Sequence, residues 1–219
     1  MKLGTLLGRS ALIAASLAMV ASTAHAAPPP GGTLGQTLYK AGSSNIMVQF
    51  IDADAAYNND LSFYLTIGGA REFIFRNHAA SQGDVYDVVS SSLLGAGIES
   101  IFGLCADMGG ASAGSNCASN PFYSGNHLAG DGLLHAMVWD TQTFLASRPD
   151  LVGVIDPGFD YVIGFEDIYG GGDFDYNDAI FAIKGVSTST PEPVSMSLLA
   201  TGLAGMGGAG AMKRRRKNK

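Results

Sequence analysis

Basic side chains are scarce in the body of this chain. Between residues 27 and 190 only Lys40, Arg71, Arg76, Arg148 and Lys184 are basic, against eighteen acidic residues, a net charge of about −13 where the whole chain carries −6. That balance speaks against nucleic acid, whose phosphates are bound by Lys and Arg, and favours divalent cations. Tryptophan occurs once and cysteine twice. There is no P-loop, no HExxH and no CxxC, so the common phosphate and zinc sites are absent. No long stretch shows helical periodicity, and no internal repeat is visible.

The ends of the chain explain its compartment. Lys2 and Arg9 precede an apolar run, Ala11 to Ala21, and Ala24-His25-Ala26 supplies the small-x-small pattern of a signal peptidase site. Residues 1–26 are therefore expected to be a signal peptide cut after Ala26. At the other end, Pro191-Glu192-Pro193 leads into an uncharged segment, 194–212, followed by the basic tail 213–219, which contains Arg214, Arg215 and Arg216. Nineteen residues at 1.5 Å each span roughly 28 Å, close to a bilayer core. The basic tail would stay cytoplasmic and hold the domain outside.

This order of Pro-Glu-Pro, a weakly apolar helix containing Thr201-Gly202-Leu203, and an Arg cluster resembles the PEP-CTERM sorting signal of Gram-negative bacteria. The resemblance covers residues 191–219. It implies cutting near the Pro-Glu-Pro by an exosortase, a transient membrane helix, and release or attachment at the cell surface. It also implies an association with exopolysaccharide and biofilm.

Between the ends the pattern is β. Leu61, Phe63, Leu65 and Ile67 alternate along one predicted strand, and Ile46, Val48 and Phe50 along another. Val85 to Val89, Leu133 to Trp139, Tyr161 to Phe165 and Ala179 to Ile183 are further strand candidates. Thr141 to Ala146 and Ser90 to Gly95 suit short helical turns. Gly, Asn, Asp and Pro punctuate the intervals. The expectation is an all-β, antiparallel β-sandwich of jelly-roll type over 45–186, with a leader linker at 27–44 and an exit linker at 187–190.

Cys105 and Cys117 bracket a polar, glycine-rich loop, and in an exported chain such a pair reads as a disulfide. A catalytic thiol would need a base that the neighbouring sequence does not offer. His135 alternates with Leu133, Met137 and Trp139, which suits a hydrogen-bonded, half-buried histidine better than a zinc ligand.

The densest chemistry is GGGDFDYNDAIF, residues 170–181. Asp173, Asp175 and Asn177 stand at i, i+2 and i+4, with Asp178 beside them and Glu166 and Asp167 at the end of the preceding strand. Calcium takes six to eight hard oxygen ligands and tolerates irregular geometry. The spacing departs from an EF-hand, with Asp178 at the glycine position and Lys184 at the bidentate Glu position. A loop between strands that holds one Ca2+ through Glu166 or Asp167 with Asp173, Asp175, Asn177 and Asp178 is the reading adopted. The alternative is an Asx-rich turn whose side chains cap backbone amides without metal. A second acidic turn, Asp52 to Asp60, reads as a polar loop rather than another site.

Residues 164–181, with Asp131-Gly132-Leu133-Leu134-His135 upstream, resemble domain-of-unknown-function family 4114 over 125–186. That resemblance implies a calcium-type β domain of bacterial surface and secreted proteins, and no reaction. Three functions follow for testing. The first is a non-enzymatic surface or matrix protein handled by signal peptidase and exosortase. The second is a carbohydrate-binding module. The third and weakest is a glycoside hydrolase using paired acids such as Glu166 and Asp173.

Overall fold

The computed structural model describes residues 27–107 and 121–189. Within them the chain is mostly β, with twelve strands in antiparallel sheets and one short α-helix. In chain order the strands are β1 (Thr33–Leu34), β2 (Tyr39–Lys40), β3 (Ile46–Asp52), β4 (Asn58–Tyr64), β5 (Arg71–Arg76), β6 (Val85–Val88), β7 (Ile101–Asp107) and β8 (Phe122–Tyr123). Then come β9 (Ala136–Asp140), helix α1 (Thr141–Ser147), β10 (Tyr161–Phe165), β11 (Ala179–Lys184) and β12 (Val186–Ser187). One sheet has the order β1-β9-β10-β11-β3-β6, a second β5-β4-β7-β8, and β12 pairs with β2 alone.

Alternation explains the burial. On β3, Ile46, Val48 and Phe50 enter one cluster, while Ile51 enters another. On β11, Ala179, Phe181 and Ile183 join the first cluster and Ile180 and Ala182 the second. The first cluster also takes Leu61 and Phe63 from β4 and Phe102 and Leu104 from β7, so it draws on both larger sheets. Phe50, Phe75 and Phe181 meet there, with the last two rings stacked at 6.3 Å. The second cluster lies on the opposite face of the six-stranded sheet, where Trp139 meets Phe144 of α1. Asp140 caps that helix, accepting from the amides of Gln142 and Thr143.

Several sequence expectations shift by a few residues. β4 stops at Tyr64, and Ile67 is 46 % exposed, because Gly68 at φ 70° and a bond from the Gly69 amide to the Thr66 carbonyl turn the chain. β9 begins at Ala136 rather than Leu133, because Asp131 Oδ1 holds the Leu133 amide in a turn. Val89–Leu93 forms a short 3-10 turn, and α1 starts at Thr141 as the sequence indicates. Segment 27–44 carries β1 and β2, with Leu38 and Lys40 buried, and Ser187 pairs with Tyr39. The packed body therefore reaches beyond the expected bounds of 45 and 186.

Among the described residues no helix is long and apolar enough to cross a membrane. The expected signal peptide, with Ala24 and Ala26, and the tail from Pro191 through Arg216 lie outside the described residues, as does Cys117. Cys105 is not a free thiol; it is buried near the end of β7 with the Tyr64 hydroxyl 3.8 Å from its sulfur.

Candidate metal centre

β10 and β11 are antiparallel neighbours whose last pair is Phe165 with Ala179. The acidic loop is the connection between them, so both its ends are fixed by the sheet. Its backbone is wound unusually. Gly170, Gly171 and Gly172 take φ values of 88°, 85° and 56°, and Phe174 and Tyr176 take 62° and 56°. Left-handed conformations in an aromatic residue are costly, on the order of 1–3 kcal/mol each, and persist where the surroundings impose them. Here one imposing contact is visible: a Cβ on Gly164 would stand 2.1 Å from the Tyr176 carbonyl oxygen. The strand can approach the loop that closely only with glycine there.

This winding brings three carboxylates together. Glu166, Asp173 and Asp175 each offer an oxygen, and those three atoms lie within 4.8 Å of one another. Glu166 and Asp175 are buried, and Asp173 is exposed. Glu166 Oε1 accepts from the Tyr176 amide at 2.6 Å. Its Oε2 is buried and has no hydrogen-bond donor. A Cβ on Gly172 would reach that oxygen at 2.7 Å, so the glycine leaves the carboxylate its space.

Electrostatics follow from the crowding. Burial, with the charges of Asp173, Asp175 and Asp167 behind it, pushes Glu166 from its ordinary 4.5 up to about 7. Burial and the neighbouring Asp173 also raise Asp175. Asn177 donates its side-chain amide to Asp175 Oδ2 at 2.6 Å, so it braces a triad carboxylate. Of the six residues expected around one ion, Asp167 and Asp178 are not in the triad. They contact each other, and burial drives Asp167 upward and Asp178 to about 8.

The second acidic turn is divided between other duties. Asp60 is buried and paired with Arg76 at 2.9 Å, and Asp52 approaches Arg148 at 3.5 Å. Asp54 is tied into the site through its backbone amide, which donates to the Asn177 carbonyl at 3.0 Å. Asn59 reaches Asp167 with its side-chain amide at 2.7 Å. Strand β4 begins at Asn58, so the expected turn is only the stretch 53–57.

His135 is fully buried, not half-buried, and stacks on Phe122 at 3.9 Å. Its Nε2 pairs with Asp131 Oδ2 at 2.9 Å and its Nδ1 lies 3.3 Å from the Glu166 carbonyl. Asp131 Oδ2 also accepts the Gly170 amide at 2.7 Å. Burial opposes the Asp131 charge, but the amides of Gly170 and Leu133 and the neighbouring His135 outweigh it and hold Asp131 at about 2. This network pins the glycine turn that opens the acidic loop. The role of Asp131 was not evident from spacing, because Gly170, the partner that ties it to the acidic loop, lies 39 residues along the chain.

Two glycine motifs are spelled by the sequence outside the described residues. Gly110-Ala111-Ser112-Ala113-Gly114 spells Gly-x-Ser-x-Gly, the letters of a nucleophile elbow, outside the described residues. Gly205 to Gly210 spells Gly-x-Gly-x-x-Gly within the expected apolar tail segment, outside the described residues. A surface groove of about 490 Å³, lined by Asp140, Gln142, Asp160 and Tyr161 among others, lies apart from the carboxylate triad.

A family model described as a domain of unknown function (DUF4114) matches residues 107–186, a stretch that contains the acidic loop, Asp131 and His135. It begins before the expected residue 125 and leaves Asn59 and the β3–β6 region outside. No curated protein matches, and no solved structure matches.

Proposed function

We propose that the loop between β10 and β11 binds a calcium ion through Glu166, Asp173 and Asp175, and that the protein is a calcium-stabilised, non-enzymatic component of the cell surface or extracellular matrix. The observation that carries this reading is Glu166 Oε2, an oxygen buried without a donor inside a carboxylate triad. Leaving a buried acceptor bare costs about 1–3 kcal/mol, more when it is charged. A hard divalent cation would satisfy that oxygen and the two neighbouring carboxylates together. The donor set is all oxygen, which suits calcium better than zinc or copper.

The fold framing this site is a two-layer β-sandwich of jelly-roll type, a reading supported by the shared core of the two larger sheets. Export follows from the N-terminal signal, and signal peptidase cleavage after Ala26 would start the mature chain at Ala27. The tail resemblance adds exosortase processing near Pro191-Glu192-Pro193. The path is an inner-membrane intermediate, held transiently by 194–212, and then the cell surface or medium. Exopolysaccharide is the proposed surroundings.

The test is thermal unfolding of the full-length chain in mild detergent, in calcium and in EGTA. Binding to the folded state alone stabilises by about 2.7 kcal/mol at a hundredfold excess over Kd. At this size each kcal/mol moves Tm by roughly 2–4 °C, so calcium should raise it by about 5–10 °C. Superimposable curves with no calorimetric binding heat would leave a capped polar turn and no metal.

A second reading, a carbohydrate-binding module, has one specific support. Tyr169 and Phe174 are 46 % and 47 % exposed on the acidic loop itself, and rings so placed suit the apolar face of a sugar. A glycan array run with calcium and with EGTA separates it from the first. Hydrolysis is the weakest reading, because Glu166 at 1 % exposure is too enclosed to protonate a glycosidic oxygen.

A further inference from the structure

The triad encloses a calcium ion on one side only. Glu166 Oε1 already takes the Tyr176 amide, which leaves the donorless Oε2 for the ion. On Asp175, Oδ1 accepts the Asn177 amide and Oδ2 accepts Asn177 Nδ2. Calcium takes six to eight oxygens, and the triad brings one oxygen together from each of three side chains. Glu166 and Asp175 are buried and Asp173 is exposed. The ion therefore has a protein side and a solvent side, and the solvent side is where further oxygens can enter.

Phe174 follows Asp173 directly, so its ring and the ion share one short stretch of loop. Its backbone sits at φ 62°, and its amide donates to the Gly171 carbonyl at 3.1 Å. That turn carries the ring back over Gly171, where a Cβ would stand 2.1 Å from Cε1 and 2.4 Å from Cζ. The ring is thus seated on the loop's own backbone, yet the residue stays 47 % exposed. Burial does not account for a strained conformation that leaves an aromatic ring half in water. A ring held against backbone offers its outer side to a ligand, and the negative face of an aromatic suits the C–H face of a pyranose. Phosphate would call for Lys or Arg around the ion. The basic side chains of the body are placed elsewhere: Arg71 and Arg76 meet Asp60, Arg148 meets Asp52 and Asp150, Lys184 lies over Phe159, and Lys40 is buried. A neutral ligand rich in hydroxyls fits both the ring and the open side of the ion.

We propose that Ca2+ at the triad binds a neutral hexopyranose directly, through two vicinal hydroxyls on its solvent side, with the apolar face of the sugar resting on Phe174. This rests on the calcium reading of the triad and gives the ion a second role, as a ligand of the sugar as well as a brace of the loop. Phe174 then has a purpose that its exposure and its backbone strain otherwise lack, and sugar binding requires calcium where stacking on a ring alone would not.

Two measurements on the full-length chain, in a detergent without a sugar headgroup, test it. Calorimetry with calcium alone reports the ion. Saturation-transfer NMR with methyl α-mannopyranoside and methyl α-galactopyranoside, which present a vicinal diol in two orientations, reports the sugar. At least one glycoside should show transfer in calcium and none in EGTA. Phe174→Leu should leave the calcium heat at wild-type size and cut the transfer by about fivefold. Phe174→Gly, which relaxes the positive φ, should do the same and serves if the Leu variant misfolds. Calcium heat without transfer from either glycoside would overturn the sugar and leave the triad reading standing. Absence of calcium heat would overturn the triad reading and the sugar with it. Transfer that survives EGTA, or that both Phe174 variants leave unchanged, would place the sugar away from the ion and the ring and overturn the proposal. Transfer from glycerol 3-phosphate in place of the glycosides would make the ligand a phosphate and overturn it too. The wild-type measurements need no variant to fold.

Discussion

Glu166 is held by Tyr176 through a single 2.6 Å bond from backbone amide to Oε1, while the other oxygen of the same carboxylate is buried without a donor. One half of the group is fixed and the other half faces the proposed cation. The donor itself sits at φ 56°, so the loop accepts backbone strain at the residue that orients the carboxylate.

Replacing Glu166 with Gln therefore has opposite effects in the two states. Without metal, Gln removes a buried charge and its repulsion with Asp173 and Asp175, so Tm in EGTA at pH 8 should rise. With calcium, the variant should gain little, because a ligand charge is gone. Scanning calorimetry of both proteins in both buffers shows it. A wild-type-sized calcium shift in Glu166→Gln would remove Glu166 from the site.

Metal-free stability should depend on pH with a definite sign. Folded Glu166 and Asp178 titrate at about 7 and about 8, above their ordinary 4.5 and 3.8. Between about pH 4 and 8 the folded state thus holds more protons than the unfolded one, and stability falls as pH rises. Their contribution is complete below about pH 4 and is lost through 7 and 8. Asp131, held at about 2, acts in reverse and loses its contribution as pH falls below about 4. Tm in EGTA should peak near pH 4–5 and decline toward pH 8, and calcium should flatten the decline. A metal-free Tm that rises from pH 5 to 8 would contradict the burial of these carboxylates.

Asp131→Ala should loosen the acidic loop from a distance. It removes acceptors for the Leu133 and Gly170 amides and the partner of His135. The stability cost should be about 1–3 kcal/mol, with calcium affinity falling as well, since the glycine turn is no longer pinned. Hydrogen exchange at the Gly170 amide reports the turn directly. Unchanged protection there would show that the network does not hold the loop.

Cys105 and Cys117 should be joined in protein recovered from the cell surface, closing a short loop worth about 3 kcal/mol on the chain-entropy model. Non-reducing peptide mapping detects the cross-link, and two alkylatable thiols in that material would refute it.

Processing should remove both ends. Intact mass of the native protein is expected to match a chain that starts at Ala27 and lacks everything from Val194 onward. Retention of Arg214, Arg215 and Arg216 in most molecules would favour a plain C-terminal anchor.

Much of the sheet was legible because alternation is a local signal. Ile46, Val48 and Phe50 declare one face, and Tyr161 to Phe165 is a strand in both sequence and structure. β7 was not, because Ile101, Phe102, Leu104 and Cys105 are all buried and leave no period of two to read. β5 pairs with β4 through a register shift at Leu61 and Ser62, which hides behind charged ends, Arg71 and Arg76. At the site, residue types and loop position were readable from spacing. Their partition was not. Which carboxylates converge depends on the left-handed turns at Phe174 and Tyr176 and on the approach allowed by Gly164, and neither side chain advertises a positive φ. The contributions of Asn59 and Asp131 come from 108 and 39 residues away in sequence.

The acidic loop occupies the thirteen residues between two paired strands, Phe165 and Ala179 closing the ladder behind it. The proposed cation site, encoded so contiguously, is in principle transplantable, as a cassette set into another β-hairpin. Two anchors limit that freedom: a host would have to present a glycine facing the Tyr176 carbonyl and a carboxylate for the Gly170 amide. Length is constrained too. Adding one residue between Glu166 and Tyr176 would displace the amide that orients Glu166, so variation by insertion is far less tolerable here than at Gly68-Gly69, where the turn projects into open solvent.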